Sequence, residues 1–372
     1  MKTLTLSLAL VLACCALSAG AATPEEIVAQ KRQVASAANP QADALKAKLA
    51  VEVTKIVKAG RLAPFRTLYG EGGLRYHWRE PWQMVYTLSL ALPYLDADLQ
   101  TKVKAYLKDE MTTRPPWDVK LLGPEGTLRQ ADDLPKAVFQ ADCKGGEVRN
   151  AFFAYALWVY ADRTGDVQTI KNNWKAIQTS YAAKIGSKPN LETVSSAVGL
   201  ARLAKLVGDD AAAQSATRQA TDAIAACQNF SAVQASATKL YTGKEKWIRE
   251  TQSVLYAFFD LTPEAARVLT ATPELKAEAA KYAAIGWRDW PFWWMAQAPV
   301  GDSGYYGEGC CAGPEQQTML FGYEAWVANT PADKLAYYSD VPDALVGDCG
   351  WIQNTVTALD AFGQTTWVPA TK

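Results

Sequence analysis

The chain has 372 residues, of which 49% are apolar and 20% charged, so it is long enough to bury a large core and too apolar to be disordered. Lysine plus arginine equals aspartate plus glutamate at 38 each, which excludes the basic surface of a nucleic-acid-binding protein. The single histidine excludes a histidine-rich metal centre, and we predict neither a metal nor a cofactor.

The N-terminus is typical of a secretory signal peptide over residues 1–22. Lys2 provides a positive start, an apolar run over residues 4–17 is too short to span a bilayer comfortably, and small residues follow up to Ala22. We therefore predict an exported protein, periplasmic or extracellular, with a single domain over residues 23–372.

Two other interpretations of the N-terminus remain open. The segment could be a core helix, or Cys14 could carry a lipid anchor, because the residues before it half-match a bacterial lipoprotein box. Neither interpretation adds a membrane span, because no later segment is long and apolar enough to form one.

Five cysteines follow the predicted signal peptide. Export permits disulfides, but an odd count leaves one thiol over. A bond from Cys310 or Cys311 to Cys143 or Cys349 is plausible because those regions are predicted loops, whereas Cys227 falls at the end of a predicted helix.

Helix starts recur along the chain as threonine, proline and glutamate, at residues 23–26 and again at 262–264. Threonine is a favoured cap, proline suits the first helical position, and an acid complements the positive end of the helix dipole. A pair of helices is predicted over residues 81–95 and 98–111.

The clearest pattern is a helix hairpin over residues 147–184. Gly165 is suited to a left-handed helix end and Asp166 to the cap of the next helix. Apolar residues recur at helical spacing on both sides of this turn, namely Val148, Phe152, Tyr155 and Val159 before it and Val167, Ile170, Trp174, Ile177 and Tyr181 after it.

The same pattern returns over residues 192–227. A helix over residues 192–206 ends at Gly208, and Asp209 or Asp210 begins an alanine-rich helix to Cys227. About twelve helices are predicted in all, with almost no strand signals. The long non-helical stretches are residues 62–78, 114–146, 287–313 and 341–350, and long loops in a compact domain are usually functional.

The segment over residues 151–181, AFFAYALWVYADRTGDVQTIKNNWKAIQTSY, resembles a hairpin of the six-hairpin glycosidases. In that superfamily a Tyr-Ala-x-x-Thr-Gly-Asp turn leads into a helix that carries a tryptophan and an isoleucine. The resemblance implies an all-α fold, an (α/α)6-type toroid of antiparallel hairpins with aromatic-rich loops at one end. Because the toroid also hosts lyases and epimerases, it does not fix the reaction.

Residues 286–313 have the composition of a saccharide cleft. Sugar rings pack their C–H faces on aromatic side chains, and carboxylates bind the hydroxyls. This segment contains Trp287, Trp290, Trp293 and Trp294, followed among glycines by Asp302, Tyr305, Tyr306 and Glu308.

Two further segments carry candidate site residues. Residues 69–82 contain Glu71, Arg75, His77 and Trp78, and the alternative reading of His77 is a structural, hydrogen-bonded histidine. Residues 114–150 contain Trp117, Asp142 and Glu147. The alternative interpretation of Glu147 is that it only complements the positive end of a helix dipole.

A glycoside hydrolase needs two carboxyl groups across the scissile bond, roughly 6.5–9.5 Å apart in an inverting enzyme. We predict Glu308 as the acid and Asp142 or Glu147 as the base. Substrate would be held by Trp78, Trp117, Trp290, Trp293, Tyr305, Arg75, Asp302 and Glu71.

A polysaccharide lyase is the alternative enzyme. Elimination across a uronic acid needs a base, an acid for the leaving group and a cation for the carboxylate. His77, with Tyr76, Tyr305 or Tyr306 and with Arg75 or Arg79, could supply them. A helical-repeat interaction protein or a glycan-binding lipoprotein without catalysis would share the helical, tryptophan-rich character.

Overall fold

The computed structural model describes residues 22–36, 38–59, 65–68, 74–77, 81–113, 115–118, 151–186, 189, 191–227, 262–269 and 349–371. The described part of the chain is mostly helical, in agreement with the predicted all-α class. The predicted signal peptide up to Ala21, with Cys14, and the segment over residues 286–313 lie outside these ranges.

The helices are α1 (Pro24–Ala29), α2 (Pro40–Ala59), α3 (Pro81–Ala91), α4 (Ala97–Thr113), α5 (Phe153–Thr164), α6 (Val167–Lys184), α7 (Leu191–Val207), α8 (Asp210–Cys227), α9 (Pro263–Leu269) and α10 (Cys349–Phe362). A 3-10 turn over Leu92–Tyr94 follows α3. The strands are β1 (Gln30–Ala35), β2 (Phe65–Leu68), β3 (Leu74–His77) and β4 (Gln364–Pro369). Both pairs, β1 with β4 and β2 with β3, are antiparallel. Within the ranges described, no helix has the length and apolar character needed to cross a membrane.

The predicted turns of the two central hairpins are confirmed. Gly165 and Gly208 have φ of 78° and 87°, the left-handed conformation that favours glycine. After them, Asp166 accepts a hydrogen bond from the amide of Thr169 at 3.0 Å, and Asp209 accepts one from the amide of Ala212 at 3.0 Å. Each aspartate thereby caps the helix that follows it.

The helix starts at the threonines are also confirmed. Thr23 and Glu26 form a reciprocal capping box at α1. The Thr262 hydroxyl accepts a hydrogen bond from the amide of Ala265 at 3.2 Å, at the start of α9.

Two kinds of helix alternate along the chain. In α5 every residue from Phe153 to Ala161 is buried, and nearly all of α7 up to Ala204 is buried as well. Their partners α6 and α8 bury only a single stripe, which leaves the opposite face to solvent. We therefore call α3, α5, α7 and α10 the inner helices and α4, α6 and α8 the outer helices.

The inner helices run parallel, side by side, in the order α10, α3, α5, α7. Trp82 contacts Phe152 and, one turn later, Tyr86 contacts Tyr155, so α3 and α5 run in the same direction. Two hydrogen bonds, Gln353 to Thr87 and Tyr94 to Asp360, join residues that are each 266 apart, so α10 runs parallel to α3. We call these four helices the inner row, and their N-termini lie at one end of it.

Close approach between α5 and α7 requires a glycine. A Cβ at position 199 would lie 2.4 Å from the Cα of Tyr155 and 2.5 Å from its amide nitrogen. Further along, the Arg202 guanidinium lies 4.1 Å from the centroid of the Trp158 ring, so these two helices also run parallel.

The first and last of the described segments meet at the C-terminal end of the inner row. We call α1, β1 and β4 the terminal clasp. Lys31 of the clasp pairs with Asp162 near the end of α5, and Arg32 pairs with Asp360 near the end of α10. The clasp therefore covers this end of the inner row.

Two predictions about local structure were wrong. Strands were hardly expected, yet β2 and β3 occupy part of the predicted loop over residues 62–78, and β1 pairs with β4. The predicted loop over residues 341–350 ends two residues early, because α10 begins at Cys349. Strand β1 escaped prediction because its partner β4 is distant in sequence, and β2 and β3 are only four residues each, which leaves little alternation to detect.

Candidate functional site

The candidate site is the N-terminal end of the inner row, where two of the predicted site segments enter it. Arg75 and His77 lie on β3, and only residues 78–80 separate that strand from α3. The segment that contains Asp142 and Glu147 leads into Ala151, two residues before α5 begins.

Ring contact fixes how close these two entrances are. The centroids of Trp82, on the first turn of α3, and Phe152, just before α5, are 4.8 Å apart. His77 precedes Trp82 by five residues, and Glu147 precedes Phe152 by five. A chain spans at most about 3.5 Å per residue. The Cα atoms of His77 and Trp82, and those of Glu147 and Phe152, are therefore at most roughly 18 Å apart.

An aromatic row extends inward from this entrance between α3, α5 and α7. Phe152 contacts Tyr86 at 5.2 Å and Tyr155 at 5.5 Å, and Tyr155 contacts Trp158 at 5.3 Å between centroids. The tilted and edge-on geometries are those that aromatic pairs prefer. The row therefore lines the inner side of the entrance with packed aromatic rings.

The aromatic row ends at a buried ion pair. Arg202 of α7 and Glu264 of α9 are 0% and 1% exposed, and their Nη1 and Oε1 atoms are 2.8 Å apart. The Tyr155 hydroxyl donates to the other Glu264 oxygen at 2.7 Å. Burial, followed by the Glu264 carboxylate, raises the pKa of Tyr155 well above its ordinary value, so this hydroxyl stays protonated and donates.

Arg202 also donates hydrogen bonds to carbonyls at the C-terminus of α1. Its Nε donates to the carbonyl of Val28 at 3.0 Å, and its Nη2 donates to the carbonyls of Ile27, at 2.9 Å, and Gln30. Helix ends leave carbonyls without partners inside the helix, and a cation there opposes the negative end of the dipole. The guanidinium is fully enclosed and each of its three nitrogens donates a hydrogen bond, which is the arrangement of a structural tie rather than of a reaction centre.

A second buried charged group lies at the far end of α10. The Tyr94 hydroxyl donates to Asp360, and Arg32 lies on the other side of that carboxylate at 3.8 Å. Burial raises the pKa of Asp360, although Arg32 opposes the shift, and burial with the nearby carboxylate raises the pKa of Tyr94. These groups lie under the clasp, at the opposite end from the candidate site.

Trp117 is the predicted site residue whose side-chain environment the structure describes. It is 8% exposed and belongs to the main apolar core. Its ring already packs on protein, and its assignment to substrate remains a prediction. The other predicted site residues lie outside the described ranges, namely Glu71, Trp78, Asp142, Glu147, Trp290, Trp293, Asp302, Tyr305, Tyr306 and Glu308.

The described residues offer neither a metal centre nor a reactive thiol. Among them, no group of three or more histidine, cysteine, aspartate or glutamate side chains could hold a metal ion. Cys227 is a buried free thiol, and burial raises its pKa to about 12, so it is protonated at neutral pH. The predicted disulfide partners fall outside the residues whose side chains are described.

Sequence reasoning missed the structural importance of Arg202. The signal was present, because Arg202 interrupts the apolar run from Ala197 to Ala204 of α7, where a charge must be paired. Glu264 was interpreted only as an acid at a helix start, and the structure adds its pairing with Arg202.

Comparison with known proteins adds no relative. No family model, curated protein or solved structure matches the chain. The assignment of function therefore depends on the residues of this chain and their arrangement.

Proposed function

We propose that this protein is an exported carbohydrate-active enzyme, and that its active site lies at the N-terminal end of the inner row. The observation that carries the proposal is the contact between Trp82 and Phe152. It brings the entrance of α3 beside the entrance of α5. The segment before α3 holds acids and aromatic residues, and the segment before α5 holds the predicted acids Asp142 and Glu147.

A toroid of helix hairpins is the architecture we propose for the whole domain. Four observations support it: inner helices are parallel, consecutive ones are neighbours, outer helices return the chain, and α10 near the C-terminus packs against α3 near the N-terminus. A closed ring of hairpins has all of these properties, and an open solenoid lacks the last one.

Glycoside hydrolysis is the reaction we favour. Glu308 would protonate the leaving oxygen, and Asp142 or Glu147 would activate water or attack the sugar. Trp78, Trp290 and Trp293 would stack on sugar rings. The clasp supports this orientation of the site, because it occupies the other end of the inner row.

Lyase chemistry is the second candidate, and the position of β3 favours it. Arg75 and His77 lie on the strand that leads into the candidate site, so a base and a cation for a uronic acid are both near its entrance. A tyrosine, Tyr305 or Tyr306, would then protonate the leaving group.

Product chemistry separates these proposals. We would incubate the purified protein with neutral polysaccharides and with uronic-acid polymers, and measure new reducing ends and new unsaturated ends. A hydrolase gives reducing ends without unsaturation, a lyase gives both, and a binding protein retains oligosaccharide without turnover.

Substitutions assign the roles. Glu308→Gln should lower hydrolysis by about 10²-fold or more, as loss of a general acid does. Glu324→Gln, on a glutamate sixteen residues further along the sequence with no assigned role, is the matched control. For a lyase, His77→Gln should abolish the unsaturated product, whereas Glu308→Gln should have little effect.

Export is part of the proposal and needs its own measurement. Sequencing the N-terminus of protein from cell fractions should find a mature start after Ala21 or Ala22 in the periplasm or medium. Membrane-bound protein with a modified Cys14 would instead support the lipid anchor, and a Cys14→Ser variant would then be released.

A further inference from the structure

The terminal clasp contacts the C-terminal part of three helices in the inner row, α5, α7 and α10. Arg202 of α7 binds three of its carbonyls, Asp162 of α5 pairs with Lys31, and Asp360 of α10 pairs with Arg32. Tyr94 lies in the 3-10 turn that follows α3, and its hydroxyl donates to the same Asp360. One short segment of chain thus touches elements that are far apart in sequence.

The two strands of the clasp have a fixed register. Gln30 lies opposite Pro369 and Ala35 lies opposite Gln364. The amide of Ala370 donates to the carbonyl of Ala29 at 2.8 Å, so hydrogen-bonded pairs alternate from there and Thr366 occupies one of them, opposite Gln33.

Pro369 fits this register, because it occupies a pair that exchanges no hydrogen bonds and needs no N–H. The carbonyl of its partner Gln30 faces the other way and accepts from Arg202. The strand pair and the buried arginine therefore use different groups of the same residue.

Helix α10 is joined to the clasp by a single residue, Gly363. A Cβ at this position would lie 2.3 Å from Cγ1 of Val34 and 2.6 Å from the carbonyl oxygen of Ala35. The residue that follows α10 is therefore in direct contact with β1.

We infer that the clasp is a lock that holds α10, near the C-terminus of the chain, against α3, so that α10 and the clasp open together as one unit. The hairpins from α5 to α8 make most of their contacts with one another, whereas α10 depends on partners near the opposite end of the chain. Regions with few local contacts open at a lower free energy than the global transition. Since α10 and α3 both begin at the candidate site, opening of the lock would also change that end of the molecule.

Native-state hydrogen exchange on the full chain tests the inference without any substitution. Peptides over residues 30–35 and 353–369 should show one shared opening free energy, lower than that of peptides over residues 153–227. Exchange of α10 only together with α5 to α8, in a single global transition, would overturn the inference.

A strand substitution gives the second test. Thr366→Pro removes a ladder N–H, and Thr366→Val at the same exposed position keeps it. The proline variant should raise exchange in α10 and β1 by about tenfold or more and leave α5 to α8 unchanged.

Limited trypsin digestion reads the same opening. Lys31 and Arg32 are held in β1, so cleavage after them should be fast in Thr366→Pro and slow in the wild type and in Thr366→Val. If β1 becomes cleavable while α10 keeps full protection from exchange, the clasp opens independently of α10 and does not hold it in place. If the proline variant fails to fold, the wild-type exchange measurement decides.

Discussion

The two ends of the inner row differ in how they are held together. At the C-terminal end, charged groups are paired: Arg202 with Glu264 in full burial, and Arg32 with Asp360 and Lys31 with Asp162 in partial burial. At the N-terminal end, Trp82 and Phe152 meet through apolar rings, and the segments that carry predicted site residues enter there.

The difference separates stability from function. Buried pairs cost much when one partner is removed, so the clasp end should dominate unfolding measurements. At the N-terminal end, aromatic contacts position the segments that enter α3 and α5 and leave the polar side chains of those segments unused. Substitutions at this end should therefore affect turnover more than folding.

The largest effect should come from Arg202→Met. The substitution leaves the Glu264 carboxylate buried without its cation and three carbonyls without a donor, so the free energy of unfolding should fall by about 3–5 kcal/mol. Urea unfolding followed by circular dichroism measures it. The double variant Arg202→Met with Glu264→Leu should recover part of the loss, and failure to recover any would mean that the carbonyl contacts dominate.

A smaller loss is expected at the close contact between α5 and α7. In Gly199→Ala the new methyl would lie 2.4 Å from the Tyr155 Cα, so the helices must separate, which should cost about 1–3 kcal/mol. Thermal unfolding measures this cost. Gly208→Ala isolates backbone strain, because the added Cβ would have no neighbour within 4 Å whereas φ is 87°. It should cost about 1 kcal/mol.

Trp82→Phe tests the candidate-site end. The smaller ring leaves a space above Phe152, and the free energy of unfolding should fall by only about 1–2 kcal/mol. Glycan turnover should fall by about tenfold or more, because displacement of a chain entrance misplaces catalytic groups. Tyr94→Phe, at the clasp end, is the control: a similar loss of stability with turnover unchanged. Equal loss of turnover in both variants would contradict the separation of the two ends.

The smallest effect concerns the acid limb of stability. Burial alone would raise the pKa of Asp166, but hydrogen bonds from Thr169 and Tyr160 outweigh it and lower the pKa below 3.8. The carboxylate therefore stabilises the fold above its ordinary pKa, and this contribution is lost as pH falls through the lowered value. Asp166→Asn should cost less than about 1 kcal/mol near neutrality and flatten the loss of stability as pH falls below the ordinary aspartate pKa. Chemical denaturation at several pH values measures the slope, and an unchanged slope would count against the assignment.

Local patterns predicted the described fold well where the forces are local. The turns at Gly165 and Gly208 follow from the φ that glycine permits and from aspartate capping, and both occur as predicted. The strands of the clasp could not be predicted, because Gln30 and Pro369 are stabilised by each other across almost the whole length of the chain.

The candidate site was predictable in composition but not in geometry. The acids and tryptophans before α3 and α5 were evident in the sequence, whereas the contact between Trp82 and Phe152 depends on how two hairpins pack. The importance of Arg202 was visible only as a charge in an apolar helix, and its three carbonyl partners belong to another part of the chain.

Pairing of β1 with β4 has a consequence for synthesis. The strand over Gln364–Pro369 is synthesised long after β1, so a growing chain can form its central hairpins before the clasp can close. For the export proposed above, this delay would be an advantage, because translocation through a narrow channel requires a chain that has not yet closed. A stop codon that removes residues 364–369 would leave β1 without its partner strand and would be far more harmful than the loss of six residues suggests.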